Sequence, residues 1–404
     1  MTTLHEKAKT SLKEEILTTE LLNEENENGS TVWHLAAKFG TLKDIPKELF
    51  SEEALNKPNK NDLTVLHVAA CTKNMKDIPI EYITIDALSK KNGLGSTVLH
   101  FAAKDSETFE TIKHLLTTEL LNIKNNKGET VWHIAASFKT FKHIPQHLFT
   151  SDALAQRDSD ENTVWHNAAR SHGTSLKNIP QHLFTPEVLE QVDKNGDMVW
   201  YYIGMHEAYD NIPRHLITTD VLNKPDKEGN TLWYIAARRD SLDKLPKELL
   251  TEEYLNLKNL MGDRVLDRVA RRNRIKDLQD NLITEDLLDT AIFDENSANY
   301  IKRTVEARAE KLKHFVIANP SFEREVEFKD SRFILTEVND DNLCFKFKGT
   351  FEKIILTKEG AFLNNKNLGT IKDAGLFIES KYSTLEQSLL LPPSKNKKPE
   401  DFLL

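Results

Sequence analysis

The residues with the greatest capacity for chemistry are the histidines, of which the 404-residue chain contains 14. Five of them recur every 33 residues at one position of a repeated phrase: His34, His67, His100, His133 and His166. Imidazole nitrogens can bind zinc, but a metal site needs ligands that converge within a few ångströms. Equivalent positions in stacked repeats are instead spaced one repeat apart. We therefore expect a structural role for these rings, and the sequence predicts no metal and no cofactor.

A second set of histidines shares another repeated position, at which three repeats carry glutamate instead. The set comprises His114, His147, His182 and His215, with Glu48, Glu81 and Glu248 at the equivalent positions. A position that varies among polar residues is typical of a solvated helix face. The alternative is a pH-sensitive ridge that binds a partner, because histidine changes charge near neutral pH.

Patterns that would indicate catalysis are missing from the sequence. It contains no Gly-rich phosphate loop, no Gly-x-Ser-x-Gly and no His-Glu-x-x-His.

The cysteine content and the charge limit the compartment and the partners. The two cysteines are far apart, which argues against a disulfide framework and fits a reducing compartment. We expect Cys71 to be a small packed residue. The formal net charge of −9 argues against nucleic acid as the main partner. No run approaches the roughly 18 apolar residues of a membrane helix.

The first set of histidines belongs to the phrase Thr-Val-Trp-His-x-Ala-Ala, whose first residue we term the anchor. Clear copies have their anchors at Thr31, Thr64, Thr97, Thr130 and Thr163, and degenerate copies begin at Met198, Thr231 and Arg264. Successive anchors are 33 residues apart, except for one interval of 35. A register this regular indicates about eight copies of one structural unit.

Each unit carries a series of helix signals. The anchor threonine is a good N-cap for a helix whose apolar face holds Val, Trp or Leu, and the paired Ala. A second phrase, such as Ile-Pro-Gln-His-Leu-Phe from Ile144, follows 14 residues after the anchor, and its proline suits the first turn of another helix. Ser or Thr followed by acids then marks a further N-cap, as at Ser51. A glycine two residues before most anchors permits the turn that leads back.

The period, the anchor phrase and the Leu-Asn-x-x-Asn/Asp-x-x-Gly stretch before it, as in residues 121–128, resemble the ankyrin repeat. The resemblance covers about residues 12–290. It implies an all-α repeat solenoid in which the anchor-phrase histidine hydrogen-bonds the turn and the next unit. The proline departs from the ankyrin pattern, because it falls where the family's second helix runs, and we expect it to split that helix into two short ones. The solenoid would have a concave surface made by the loop tips and first helices.

Five units carry tryptophan where the ankyrin repeat has a core leucine: Trp33, Trp132, Trp165, Trp200 and Trp233. We predict that they pack in the core, because large apolar side chains bury the most area there. The alternative is an exposed aromatic surface that binds a partner.

The last unit carries a basic cluster of Arg264, Arg268, Arg271, Arg272, Arg274 and Lys276. It predicts a solvated capping face, with docking of an acidic partner or of the acidic N-terminal segment as the alternative.

The resemblance implies that contacts with a partner lie just before each anchor and just after the paired Ala. The candidates before the anchors are Glu129, Asn162, Asp197 and Asn230. The candidates after the paired Ala are Lys38, Phe39, Ser137, Phe138, Arg170, Arg238 and Arg239.

The remaining segments differ in character from the repeats. Residues 1–290 are predicted to form the solenoid, with residues 12–23 as an N-terminal cap, and residues 291–320 a helical closing segment. Short runs rich in Phe, Ile and Val within residues 321–385 predict a small β-rich module. Residues 386–404 read as a flexible tail.

These observations predict a non-enzymatic protein–protein interaction module that binds a protein partner through the concave surface, as an effector or an inhibitor. We expect it to be monomeric alone, to bind no nucleic acid and to have no membrane span. It would work in the cytoplasm, or in a host cytosol after delivery. Two alternatives remain: an enzyme or toxin with a catalytic C-terminal module to which the repeats present substrate, and a purely structural self-assembling array.

Overall fold

The computed structural model of the protein describes residues 3–284, 287–290, 293–318, 333–338, 342–347, 353–357, 360–363 and 366–369. The chain divides into two compact units, Met1–Leu245 and Pro246–Leu404. The tail predicted over residues 386–404 lies outside the described residues.

Every repeat of the first unit opens with a helix that begins one residue after the anchor, and we term these the anchor helices. They span Val32–Phe39, Val65–Thr72, Val98–Ala102, Val131–Ser137, Val164–Arg170, Val199–Met205 and Leu232–Arg238. The anchor itself has an extended backbone, as an N-cap residue does; Thr31 has φ −79° and ψ 170°. The sequence period therefore corresponds to a structural period of one anchor helix per repeat.

A short closing helix precedes the turn into each following repeat. The closing helices are Thr19–Leu22, Glu52–Asn56, Ile85–Ser89, Thr118–Leu121, Ser151–Leu154, Pro186–Leu189 and Thr219–Asn223. Each begins after a Ser or Thr whose hydroxyl accepts a backbone N–H three residues on, as Ser51 accepts that of Ala54 at 3.2 Å. One further helix, Leu4–Lys7, precedes the first closing helix.

Between the anchor and closing helices the chain forms 3₁₀ turns. In the first unit they span Leu42–Asp44, Lys47–Leu49, Met75–Asp77, Ile80–Tyr82, Lys113–Leu115, Thr140–His143, Gln146–Leu148, Leu176–Asn178, Gln181–Leu183, Tyr209–Asn211, Arg214–Leu216 and Leu242–Lys244. In repeats with the proline phrase, one turn ends before the proline and another begins directly after it, as around Pro46. Proline has no N–H to continue a helix, so this segment is split as expected, although the pieces are 3₁₀ turns and not α-helices.

The third repeat is a natural control for the effect of proline. It has Ile112 where the other phrases have proline, and here the structure contains a seven-residue α-helix, Ser106–Ile112. Asp105 caps this helix by accepting the backbone N–H of Thr108 at 2.9 Å. Without the proline the first piece is an α-helix, but this helix still ends at Ile112, and the 3₁₀ turn Lys113–Leu115 follows it as in the other repeats.

The core of the first unit is built around the tryptophans. Their side chains are fully or almost fully buried, which confirms the prediction of core packing. Each of three indole rings meets, edge to face, the phenylalanine that ends the proline phrase; Trp132 and Phe149 have ring centroids 5.0 Å apart. Aromatic pairs in this geometry add to the stabilisation from area burial. The anchor helices and the 3₁₀ segments are thus joined by one apolar layer.

The turns before the anchors require a left-handed residue. Six repeats place glycine there, and Gly128 has φ +72°. The other two repeats adopt the same conformation with Asp62 at φ 58° and Glu161 at φ 60°. The turn is therefore kept where the glycine is missing, although a side chain in this region is disfavoured.

The second unit begins with further elements of the repeat type. They are the 3₁₀ turn Lys247–Leu249, the helices Glu252–Asn256 and Val265–Arg271, and the 3₁₀ turns Ile275–Asp277 and Asp280–Leu282. The helices Leu287–Thr290 and Glu295–Ala318 follow, and the second of these, the long helix, lies within the predicted closing segment. None of the helices in the described ranges is long and apolar enough to cross a membrane.

Five short strands follow the long helix, within the range predicted to be β-rich. They are β1 (Phe333–Val338), β2 (Asn342–Phe347), β3 (Lys353–Thr357), β4 (Gly360–Leu363) and β5 (Lys366–Gly369). They pair antiparallel in chain order, with Phe333 opposite Phe347 and Cys344 opposite Ile355. The protein as described is mostly helical and repeat-like, with this antiparallel segment at its C-terminal side.

We expect Trp132→Ala to lower the free energy of unfolding by about 3–5 kcal/mol, because it leaves a cavity between two phenylalanines. Chemical denaturation followed by circular dichroism measures the change. Phe138→Ala is the matched control: this ring is 50% exposed, so its loss should change the stability little. Equal effects of the two substitutions would contradict the core assignment.

We expect Glu161→Gly to raise the free energy of unfolding by about 1 kcal/mol, since glycine adopts the left-handed conformation without penalty. Glu161→Ala is the control, because it removes the same side chain but keeps the penalty. A gain with alanine as large as that with glycine would show that the carboxylate, and not the backbone, is unfavourable.

Candidate functional site

The anchor-phrase histidines connect neighbouring repeats. The backbone N–H of Thr31 donates to Nδ1 of His34 at 3.1 Å, and the Thr31 hydroxyl lies 2.8 Å from the same nitrogen. Because Nδ1 accepts, the ring proton is on Nε2, which donates to the carbonyl of Leu63 at 2.9 Å. Leu63 belongs to the turn of the next repeat. One ring therefore caps its own helix and ties it to its neighbour.

The next four repeats contain the same arrangement. Nε2 lies 3.1–3.3 Å from a carbonyl of the following turn in the pairs His67 with Ser96, His100 with Glu129, His133 with Asn162, and His166 with Asp197. The expectation that these rings hydrogen-bond the turn and the next unit is confirmed. Within the part of the chain that the structure describes, no three His, Cys, Asp or Glu side chains are grouped to hold a metal ion.

Burial keeps these rings neutral. It lowers the pKa of all five, because the charged imidazolium loses its hydration in the interior. For His67 and His166 the pKa falls to about 4. The hydrogen-bond pattern requires the same state, since a protonated Nδ1 could not accept the backbone N–H.

The later repeats replace the histidine. Tyr201 and Tyr234 occupy the position in the sixth and seventh repeats, and Asp267 occupies it in the eighth. Oδ2 of Asp267 accepts the backbone N–H of Arg264 at 2.9 Å, so the cap survives. A carboxylate has no proton to donate to a following turn. The eighth repeat therefore keeps the hydrogen bond that caps its own helix, but its carboxylate cannot donate to a following turn as the histidines do.

Two positions follow the paired Ala in each repeat, and we term this set of positions in the first unit the anchor-helix face. Both are exposed in the first, fourth and seventh repeats, whereas Ser171 of the fifth is buried. Six of the predicted contact residues lie there and are exposed: Lys38, Phe39, Ser137, Phe138, Arg238 and Arg239. Phe39 and Phe138 are 44% and 50% exposed, which is unusual for phenylalanine. Cys71 lies on the same face and is exposed, so the expectation that it is packed was wrong.

Arg170, a predicted contact on the same face, is held by its neighbours. Its Nη2 donates to Asp193 Oδ2 at 3.0 Å and to the Tyr202 hydroxyl at 2.6 Å, and its guanidinium lies 4.1 Å from the Tyr202 ring centroid. Tyr202 in turn donates to Asp193 at 2.7 Å. Burial raises the pKa of Tyr202 to about 12, so the phenol stays protonated. Arg170 therefore joins two repeats and shares its charge with a buried carboxylate.

The candidates before the anchors are used inside the turns. Asn162, Asp197 and Asn230 are buried, so their side chains expose little area to a partner, and their role as contacts stays a prediction. Asn162 and Asn230 each donate to an aspartate four residues earlier, and Asp197 forms an ion pair with Lys227 at 3.2 Å. Glu129 is half-buried and accepts from Asn125 at 2.9 Å. These contacts stabilise the turns, because each one gives a hydrogen-bond or ion-pair partner to a polar group that would otherwise be costly to bury.

Cations alternate along the anchor-helix face. The first position after the paired Ala is Lys38, Lys104, Arg170 and Arg238 in the odd repeats and Cys71, Ser137 and Met205 in the even ones. The first three cations lie over aromatic rings: the Nζ atoms of Lys38 and Lys104 are each 5.4 Å from the ring centroids of Phe39 and Phe101, respectively. No acid occupies this position in any of the seven repeats, in a chain whose net charge is −9. The pattern was readable in the sequence once the repeats were aligned.

At the first repeat the face borders an open cleft of about 670 Å³. Leu35, Lys38 and Phe39 line one side, and Glu24 and Glu25 lie among the residues opposite. Glu25 forms an ion pair with Lys57 at 2.6 Å, so part of the acidic charge at this cleft is paired within the repeats.

The second set of histidines is exposed, together with the glutamates at the same position. This agrees with a solvated face, and the alternative of a pH-sensitive ridge stays a prediction.

Sequence reasoning missed a different histidine, His143, whose Nε2 lies 2.6 Å from Ser106 Oγ and whose Nδ1 contacts Glu110. It also missed the edge-to-face pair of His172 and His206, 4.9 Å apart. These partners lie in different repeats, so no local sequence signal joins them.

Comparisons with known proteins add little. No family model matches the chain, and no curated protein matches it. Among solved structures, the chain is similar to a chain in the structure of a predatory endopeptidase from Bdellovibrio bacteriovorus in complex with an immunity protein. That chain is 22% identical, the alignment covers 43% of this protein and 95% of the other chain, and the TM-score is 0.34.

We expect the buried histidines to make stability depend on pH. For His67 the pKa is about 4 in the folded state against 6.5 ordinarily, so the unfolded chain binds the proton more tightly. Its stabilisation is fully present above pH 6.5 and declines as pH falls towards 4, by about 2 kcal/mol between pH 7 and pH 5. Urea denaturation at the two pH values measures this loss.

The matched variants are His67→Gln and His147→Gln. The first should reduce the loss of stability between pH 7 and pH 5, since it removes a buried titrating ring. The second removes an exposed histidine and should leave the loss as it is in the wild type. The same pH dependence in all three proteins would contradict the role given to His67.

Proposed function

We propose that the protein is a non-enzymatic protein-binding module, built as an ankyrin-type solenoid whose anchor-helix face forms the concave surface that binds a protein partner. The C-terminal strands form a β-rich module that adds a second contact in this proposal. The observation that carries it is the composition of the anchor-helix face. Cations recur there at the first position after the paired Ala, and exposed phenylalanines occur at the second position, as Phe39 and Phe138.

Exposed aromatic side chains support a binding role. Phe138 lies one repeat beyond Phe101 and Lys104, and none of these side chains contributes to the tryptophan core. Aromatic and cationic residues are enriched among those that dominate binding energy at protein interfaces. A patch of Phe101, Lys104 and Phe138 is therefore the centre of the proposed site.

The alternation of cations supports an acidic partner. Helices that pack side by side lie ~8–10 Å apart, so cations in alternate repeats are separated by roughly 16–20 Å. An extended chain covers this distance in about five or six residues, at ~3.3 Å per residue. The partner we propose is an acidic protein segment with carboxylates at about that spacing. Such charge complementarity chiefly accelerates association and excludes wrong partners.

We further propose that this module works in the cytoplasm, or in a host cytosol as a delivered effector, and that it is monomeric in the absence of its partner. The two separated cysteines support a reducing compartment. The seven anchor helices of one chain supply the whole face, which supports a binding surface that needs no second copy.

The test compares two double variants of the full chain with the wild type. Lys104→Glu/Phe138→Ala removes the cation and the exposed ring at the proposed centre. Lys142→Glu/Ile80→Ala is the matched control, because it makes the same change of charge and removes exposed apolar area on the 3₁₀ turns. Each protein is used to capture partners from the native cell, and captured proteins are identified by mass spectrometry.

The proposal expects a protein that binds the wild type and the control variant but is lost with the first variant. The captured protein should also bind more weakly as salt concentration rises, since exposed charges are screened. Identical sets of captured proteins with all three baits would contradict the proposed site. Melting temperatures of the three proteins establish that the variants are folded.

A further inference from the structure

A serine, a histidine and a glutamate are linked by contacts across the third and fourth repeats. Oγ of Ser106 lies 2.6 Å from Nε2 of His143, and Nδ1 of the same ring contacts the carboxylate of Glu110. The cluster lies on the second segments of the two repeats, so the proposed binding function does not use it. A hydroxyl paired with a base, and a base held by a third group, is the arrangement that activates a nucleophile.

The α-helix Ser106–Ile112, which is peculiar to the third repeat within the first unit, positions the serine and the glutamate. Ser106 is its first residue, nine positions after the anchor. Ser106 and Glu110 are four residues apart, so the helix places both side chains on one face. The other six repeats of the first unit have a left-handed residue at the position of Ser106: Gly40, Lys73, Lys139, His172, Glu207 and Asp240.

The fourth repeat supplies the ring that meets both groups. His143 ends the 3₁₀ turn Thr140–His143, at the position that Glu110 has in the third repeat. Stacking of the two repeats sets the ring beside the helix, and each ring nitrogen contacts one of the two side chains. The side chain of His143 is 13% exposed, so most of the ring is shielded from water that would compete for these contacts.

The charge of Glu110 fixes the roles of the two ring nitrogens. Lys113 also contacts this carboxylate, and the hydrogen bonds from Lys113 and then from His143 lower the pKa of Glu110. A carboxylate can only accept a hydrogen bond, so Nδ1 of His143 carries the proton. In the neutral ring Nε2 is then the acceptor, and the hydroxyl of Ser106 donates to it. The proton of the serine is therefore directed at a base.

We propose that Ser106 is a nucleophile that takes an acyl group from an activated ester, with His143 as its general base and Glu110 as the residue that positions the ring. Oγ attacks the carbonyl carbon of the ester while its proton passes to Nε2 of His143. The bond from that carbon to the leaving oxygen or sulfur breaks, and His143 returns the proton to the leaving group or to water. The products are an O-acyl serine and a free alcohol or thiol.

This modification goes beyond the proposed binding function and is compatible with it. One reaction per chain completes the step as written, so the module remains a binding protein that carries a covalent acyl group. The modified residue lies in the second segment of its repeat, and the residues of the anchor-helix face take no part in the reaction.

The test is reaction of the full-length protein with para-nitrophenyl acetate, and the release of para-nitrophenolate is followed by absorbance. Peptide mapping by mass spectrometry measures the acetylation of each serine. Ser137 is the internal comparison: it is exposed, and its hydroxyl donates to the carbonyl of His133 at 3.0 Å, which is not a general base. The variants are Ser106→Ala and His143→Gln. The matched control is His147→Gln, which removes an exposed histidine of the same repeat.

We expect Ser106 to be acetylated about a hundredfold faster than Ser137, which is the scale that a positioned general base contributes. Ser106→Ala should abolish the fast phase of nitrophenolate release, and His143→Gln should remove the advantage of Ser106. His147→Gln should keep the rate of the wild type. Equal rates at Ser106 and Ser137 in the wild type, or an unchanged rate in His143→Gln, would overturn the proposal.

The positioning role of Glu110 is tested by the reaction and not by stability. Glu110→Gln should slow the acetylation of Ser106 at an unchanged melting temperature, because glutamine lacks the charge that stabilises the protonated ring. Glu107→Gln is the matched control, since this exposed residue lies on the same helix and pairs with Lys76 at 3.1 Å. Equal slowing in the two variants would contradict the role given to Glu110.

Discussion

The repeat array depends on a neutral, buried imidazole. In each of the first five repeats one ring accepts the N–H of its anchor threonine and donates to the turn of the next repeat. The first contact fixes where the helix begins, and the second fixes how far away the next unit lies. Both need the same neutral tautomer: desolvation keeps the ring neutral by lowering its pKa, and the backbone N–H that donates to Nδ1 places the ring proton on Nε2. In these five repeats one side chain therefore takes part in both local structure and stacking.

Around this constraint the remaining parts of the repeat have separable roles. Tryptophan and the phenylalanine of the proline phrase fill the layer between the anchor helix and the 3₁₀ turns. The repeats with proline have a 3₁₀ turn on each side of it, whereas the third repeat, with Ile112 in its place, has an α-helix on the first side and keeps the 3₁₀ turn on the second. The two positions after the paired Ala have mixed roles: Asp105 caps a helix and Arg170 is bonded to the next repeat, whereas Lys38, Phe39, Ser137, Phe138, Arg238 and Arg239 are exposed. The exposed rings and the alternating cations at these positions are the features on which the proposed binding role rests.

The second unit repeats the architecture with different chemistry. Asp267 keeps the cap of its helix but cannot donate onwards, and the helix has a polar face. The long helix after it has a buried face, on which Arg308 donates to the carbonyl of Ile283.

The period, the start of every anchor helix, the burial of the tryptophans and the structural role of the first histidine set could be predicted from the sequence. These follow from caps, turns and apolar spacing, which act over a few residues and recur in phase. The burial of Asn162, Asp197 and Asn230 and the exposure of Cys71 could not be predicted, because whether a position faces the turn, the core or the solvent depends on the neighbouring repeat. Tertiary structure alone brought Arg170 to Asp193 and Tyr202, and Arg308 to the Ile283 carbonyl. Those contacts join residues 9–32 positions apart, and no local pattern encodes them, because they arise only when separate elements pack together.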